Sequence, residues 1–159
     1  MTTEKAVSNS ELRRTLAYLR SQLSGLDLVL AAEHAAVRDF DAEALERAVA
    51  EKSAALAGIV ELEGTRLDHL AAAGLVDDAA SMRLLTGTDG ASTALWLEIE
   101  ALTRRVRRAM EANAVLLHVH HRLAIDSLHA LYGDRGEPEL YQDHAELRPR
   151  AQARSLGRI

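Results

Sequence analysis

With 159 residues, 48% of them hydrophobic, the chain can bury one real core, and one domain is the default. It has no cysteine, which excludes disulfides and thiolate metal sites, and its net charge of -5 argues against nucleic acid as the main partner, because that binding rests on neutralising phosphates. Five aromatic side chains, one Trp, three Tyr and one Phe, leave a core of Leu, Ala, Val and Ile; with 27% charged residues this favours packed helices over sheets. No stretch approaches the roughly 20 apolar residues of a membrane span, and the first residues lack a signal peptide's apolar run, so a cytoplasmic protein without direct membrane insertion is expected.

In chain order, Ser8 and Glu11 stand at capping-box spacing, which predicts a first helix over about 9-37. Leu12, Leu16, Leu19, Leu23, Leu26 and Leu30 keep a four-then-three spacing that Val37 resumes, the narrow seam of a coiled coil. Asp41 can cap a second helix over 42-73, whose inward residues are read as Leu45, Val49, Leu56, Ile59, Leu67 and Leu70, with Lys52 and Glu63 at the gaps. That helix closes at Ala73-Gly74, where glycine can turn left-handed. So short a linker between long helices makes an antiparallel hairpin, with Phe40 as its apolar corner. Asp77-Asp78 can open a short helix over about 77-85, Thr86 to Gly90 reads as loop, and Thr88, Asp89, Ser92 or Thr93 can cap a third long helix over 93-131.

This third long helix carries Leu95, Ile99, Leu102, Val106, Ala109, Leu116, Leu123 and Ala130 on one face, with polar Asn113 and His120 in the same stripe. At about 1.5 Å per residue it would run roughly 58 Å, so something long must lie beside it. The expected fold is therefore all-α: an elongated antiparallel three-helix bundle or coiled-coil hairpin over 1-132. Behind it, 133-159 holds both prolines and few apolar residues, and is read as a disordered C-terminal tail.

Little in the chain points to chemistry. His118 and His121 stand at i, i+3, a spacing that can bind a transition metal, but the inward positions of the other helices offer almost no further ligands; the histidines read as surface residues, with His120 partly buried. Arg104, Arg105, Arg107 and Arg108 read as a solvated face flanking Val106 and pairing with the Glu-rich second helix. No nucleophile and base pair, phosphate loop or carboxylate pair is present, so no enzyme, cofactor or metal site is expected. What remains is binding. A second set, Met110, Leu117, Ala124, Leu128 and Leu131, runs beside the main stripe; it is a groove for a partner's amphipathic helix, a homodimer contact, or a face covered by residues 75-92. Asn113 either fixes register between helices or meets a partner's backbone.

Phe40-Asp41-Ala42-Glu43-Ala44-Leu45, then Glu51-Lys52, Leu56, Leu62 and Arg66, then Asn113 with Leu116-Leu117, and finally Glu137-Pro138-Glu139-Leu140-Tyr141 stand in an order and spacing that resembles the FlgN family of flagellar export chaperones. The resemblance implies a cytosolic helical chaperone that holds the C-terminal helical segment of the hook-filament junction proteins FlgK and FlgL against its third long helix. It would keep that segment from assembling and deliver it to the type III export gate, the cytoplasmic domain of FlhA. Asn113, Leu116 and Leu117 then fall in the substrate-binding helix, and with Met110, Leu123, Ala124, Leu128 and Leu131 they make up the expected substrate-binding face. Tyr141 is the expected gate-contacting residue, with Tyr132 as the alternative. Where the family often has an asparagine and a glycine, this chain has Met110 and Ala114. The alternative to the chaperone is a self-associating helical adaptor.

Overall fold

The computed structural model describes residues 2–132, and the predicted tail, with Tyr141, lies outside them. Every described element is helical: α1 Thr2–Asp39, α2 Ala42–Ala72, α3 Ala79–Thr86 and α4 Gly90–Tyr132. The chain divides into two compact units, residues 1–122 and 123–159. The packed helices belong to the first unit.

α1 is the central element. Leu12, Leu16, Leu19, Leu23, Leu26 and Leu30 are all buried, and they gather Leu70 of α2, Met82 of α3 and Ile99 and Val106 of α4 into one aliphatic core. α2 runs antiparallel to α1, since Thr15 approaches His69 (3.4 Å) while Glu33 approaches Lys52. α4 runs parallel to α1: Arg20 pairs with Glu98 and Asp27 with Arg105, each at 2.6 Å, and Asn113 meets the end of the α1 seam.

The ends follow from local chemistry. The Asp41 carboxylate accepts from the Ala44 amide (2.9 Å) and opens α2; Asp78 accepts from the Ser81 amide (2.7 Å) and opens α3. That amide holds the Asp78 carboxyl below its ordinary range, so the cap is present at neutral pH and is lost as the pH falls through the lowered value. Asp89 accepts from the Ser92 hydroxyl (2.6 Å) and the Ala91 amide (3.1 Å) at the start of α4. α2 closes with Gly74 at φ 69, the Leu75 amide returning to the Leu70 carbonyl (2.9 Å). α1 closes in the same way, the Asp41 amide returning to the Ala36 carbonyl (2.9 Å), but its left-handed residue is Phe40 at φ 56. A side chain pays for that backbone with roughly 1 kcal/mol of strain.

Four details differ from the sequence reading. α1 does not begin at Ser8: Glu4 to Val7 contain no helix breaker, and helical bonds serve the amides a cap would have served. Leu56, Ile59 and Leu70 of α2 pack on the core as expected, but at its two ends the inward position is Ala48 rather than Val49 and Arg66 rather than Leu67. Arg66 is interior because its guanidinium donates to Glu63 (2.8 and 2.9 Å) and to Asp77 (2.9 Å) and lies 5.5 Å from the Trp96 ring. Burial works against that charge, but the two carboxylates outweigh it and hold the guanidinium above its ordinary value. Phe40 is no buried corner either: it is 79% exposed, one ring face stacked on His120 at 4.6 Å. Finally, Arg105 pairs with α1 rather than α2.

Gly25 lies within α1 with nothing inside 4 Å of where a Cβ would stand. Gly25→Ala is therefore expected to raise unfolding stability by about 0.8–1 kcal/mol, read as a shifted urea midpoint at unchanged slope.

Candidate functional site

The candidate site is the C-terminal half of α4, and at its start, within the first unit, the packing around Asn113 is polar. Continuing the α1 seam past Leu30 by three residues lands on Glu33, an inward carboxylate that is 1% exposed. Antiparallel packing brings Lys52 of α2 to the same level, and its ammonium pairs with Glu33 Oε1. Parallel packing brings Asn113 of α4, whose amide donates to Glu33 Oε2 (2.9 Å) and to the Leu30 carbonyl (2.8 Å). With its nitrogen so engaged, Asn113 presents Oδ1 to His34, which donates from Nδ1 at 3.0 Å. One buried network thus ties three helices together at a single level, and a buried amide of this kind fixes register. Lys52 and Asn113 are legible as polar interruptions of their seams, as are Glu63 and His120, but an apolar count passes over Glu33; the signal that could have found the network is that Glu33 also falls at a seam position, three residues after Leu30.

Around this level the expected face divides. Asn113 is buried and its amide nitrogen is spent on α1, so it lies beneath the surface and not on it. Leu116 is half-buried; Met110 and Leu117 are exposed, and so are Val115 and Val119, which the sequence reading omitted. An open groove of about 570 Å3 is lined by His34 of α1 and by Arg108, Glu111, Ala112, Val115, Leu116 and Val119 of α4; Met110 and Leu117 stand outside it. In the second unit, Leu123, Ala124, Leu128 and Leu131 are all exposed on helical backbone. α4 is helical through Tyr132, whose side chain, like Tyr141, lies outside what is described.

His118 and His121 are exposed and His120 is half-buried against Phe40. Among the described residues no group of three His, Asp or Glu could hold a metal ion, and no helix is long and apolar enough to cross a membrane.

The described residues make an all-helical protein that bares aliphatic side chains on α4 in each unit, Met110 and Leu117 in the first and Leu123, Leu128 and Leu131 in the second. The FlgN protein family model matches residues 1–149, and the chain belongs to the FlgN family, the flagellar export chaperones, which act by binding hook-associated proteins and not by catalysis. No curated protein and no solved structure matches it at a significant level.

Proposed function

We propose that this chain is a cytoplasmic chaperone that binds the C-terminal helical segment of FlgK and FlgL along α4, keeps it from assembling early, and hands it to the cytoplasmic domain of FlhA. The observation that carries this is the exposure of aliphatic side chains on α4, Met110 and Leu117 in the first unit and Leu123, Leu128 and Leu131 in the second. Leu116 and Ala124 extend it, and Asn113 serves by holding α4 in register below. A partner helix laid on this face buries mostly aliphatic surface, at about 25 cal/mol per Å² before ordering and association costs. Nothing in this action calls for a cofactor.

Calorimetric titration of the full chain with the isolated C-terminal helical segment of FlgK or FlgL tests it. One-to-one saturable binding with a negative heat-capacity change is expected. No binding at high micromolar concentration would overturn the proposal and leave a self-associating adaptor.

Gate contact is assigned to Tyr141, with Tyr132 as the alternative. Tyr141→Ala is expected to leave substrate binding unchanged while reducing export, measured as secreted junction protein. A loss of substrate binding in this variant would refute that division of labour; normal export would shift the assignment to Tyr132.

A further inference from the structure

The outer face of α2 carries an apolar strip with an acidic edge. Val49, Val60 and Leu67 are exposed, and at intervals of eleven and seven residues, about three turns and two, they share one strip of the helix. Glu46, Glu61 and Asp68 are exposed along one edge of that strip, on the side of α2 opposite buried Ala48, Arg66 and Leu70. Their charge is uncompensated. The bases of α2 are spent elsewhere: Arg47 on Glu43, Lys52 on Glu33, and Arg66 on Glu63 and Asp77. None of the three acids has a Lys, Arg or His three or four residues away, and none forms an ion pair among the described residues.

One segment of the chain has the complementary pattern. Residues 148–159 hold Arg148, Arg150, Arg154 and Arg158, no acid, and the aliphatic Leu156 and Ile159. We propose that this segment docks along the outer face of α2, its arginines against Glu46, Glu61 and Asp68 and its aliphatic side chains on the strip beside them. The proposal concerns α2 and is independent of the docking reading on α4. Glu46 and Asp68 are 22 residues apart on the helix, about 33 Å; twelve residues reach about 40 Å extended but only about 18 Å as a helix, so contact with all three acids calls for the extended form. Direction follows from the packing. Lys52 and Asn113 both meet Glu33, so Glu46 lies toward the end of the first unit where Arg122 stands, and the segment enters there and runs toward Asp68. Reach is not limiting: residues 123–132 carry the chain about 15 Å in whatever direction they run, and residues 133–147 can span about 50 Å. Those fifteen residues hold five acids, which the same face repels, so they serve as the connection and not as the occupant. Tethering keeps the basic segment at high effective concentration, so a modest attraction is enough to seat it.

The chain has no cysteine, so Ser155→Cys in the full chain takes a single nitroxide label. Paramagnetic broadening of backbone amides then locates the segment. The amides from Val60 to Asp68 are expected to lose about half of their intensity or more at low salt, and to regain it at high salt. They should regain it as well at low salt in the chain that also carries Glu46→Lys, Glu61→Lys and Asp68→Lys, with helicity unchanged by circular dichroism. Absence of broadening on α2, or broadening there that survives both salt and the three reversals, overturns the proposal. Broadening centred on the exposed row of α4 instead overturns the choice of face. If α2 is broadened in a mixture of spin-labelled chain and isotope-labelled chain without the nitroxide, the occupant comes from a second copy, and the intramolecular contact is overturned.

Discussion

Lys52→Met is expected to destabilise the first unit by about 3–5 kcal/mol, the usual loss when one partner of a buried ion pair is removed. Glu33 is buried, and the Lys52 ammonium is its only cationic partner among the described residues. The Asn113 amide that remains supplies one hydrogen bond and no charge. A control separates stranded charge from lost packing: in Lys52→Met with Glu33→Leu the level becomes aliphatic, Asn113 keeps the Leu30 carbonyl, and most of the lost stability should return. Urea unfolding of the single and double variants measures both. A Lys52→Met chain within 1 kcal/mol of the parent would mean that Glu33 is satisfied without Lys52.

Leu128→Asp is the functional counterpart. Leu128 is 52% exposed, so a carboxylate there meets solvent in the free protein and leaves the packed helices as they are. Once a partner helix covers it, the same carboxylate is desolvated without a donor, at a cost of about 1–3 kcal/mol. Binding of a junction-protein segment should weaken by roughly ten- to a hundredfold, with the thermal midpoint unchanged. Leu117→Asp should weaken binding as well; at 37% exposure it is the more enclosed of the two, and some loss of stability is expected with it. A variant that melts instead of losing affinity identifies its residue as core. Loss from Leu117→Asp alone would place the interaction wholly in the first unit.

How much of this the sequence announces depends on whether a residue is buried for being apolar. The α1 seam is legible to the residue, because six leucines at coiled-coil spacing admit one inward face. The caps at Asp41, Asp78 and Asp89 and the turn at Gly74 are legible as well, each being a residue type whose local chemistry has one common use. Leu56, Ile59 and Leu70 of α2 are read correctly, but a hydrophobic count also places Val49 and Leu67 inside, where Ala48 and Arg66 stand. Only the coincidence of Glu63, Asp77 and Trp96, the last two from other parts of the chain, makes a buried guanidinium tolerable. Phe40 is misplaced for the converse reason: position in a hairpin suggests a packed corner, whereas the left-handed turn holds the ring outside, against His120. On the candidate face, the apolar stripe of α4 is plain in the sequence. Which of its members lie over other helices is a matter of where α1 and α2 end, and that separates buried Asn113 from exposed Leu117 four residues on.

The Trp96 ring beside Arg66 has a use of its own. It is the single indole of the chain, and its emission responds to the guanidinium 5.5 Å away and to the aliphatic core around it. Trp96 and Val119 are separated by 23 residues of one helix, about 35 Å. Ultraviolet fluorescence therefore reports whether the helices are assembled while staying blind to what sits on the far half of α4. A single cuvette can then tell a variant that has lost its partner from one that has lost its fold, without any dye or label.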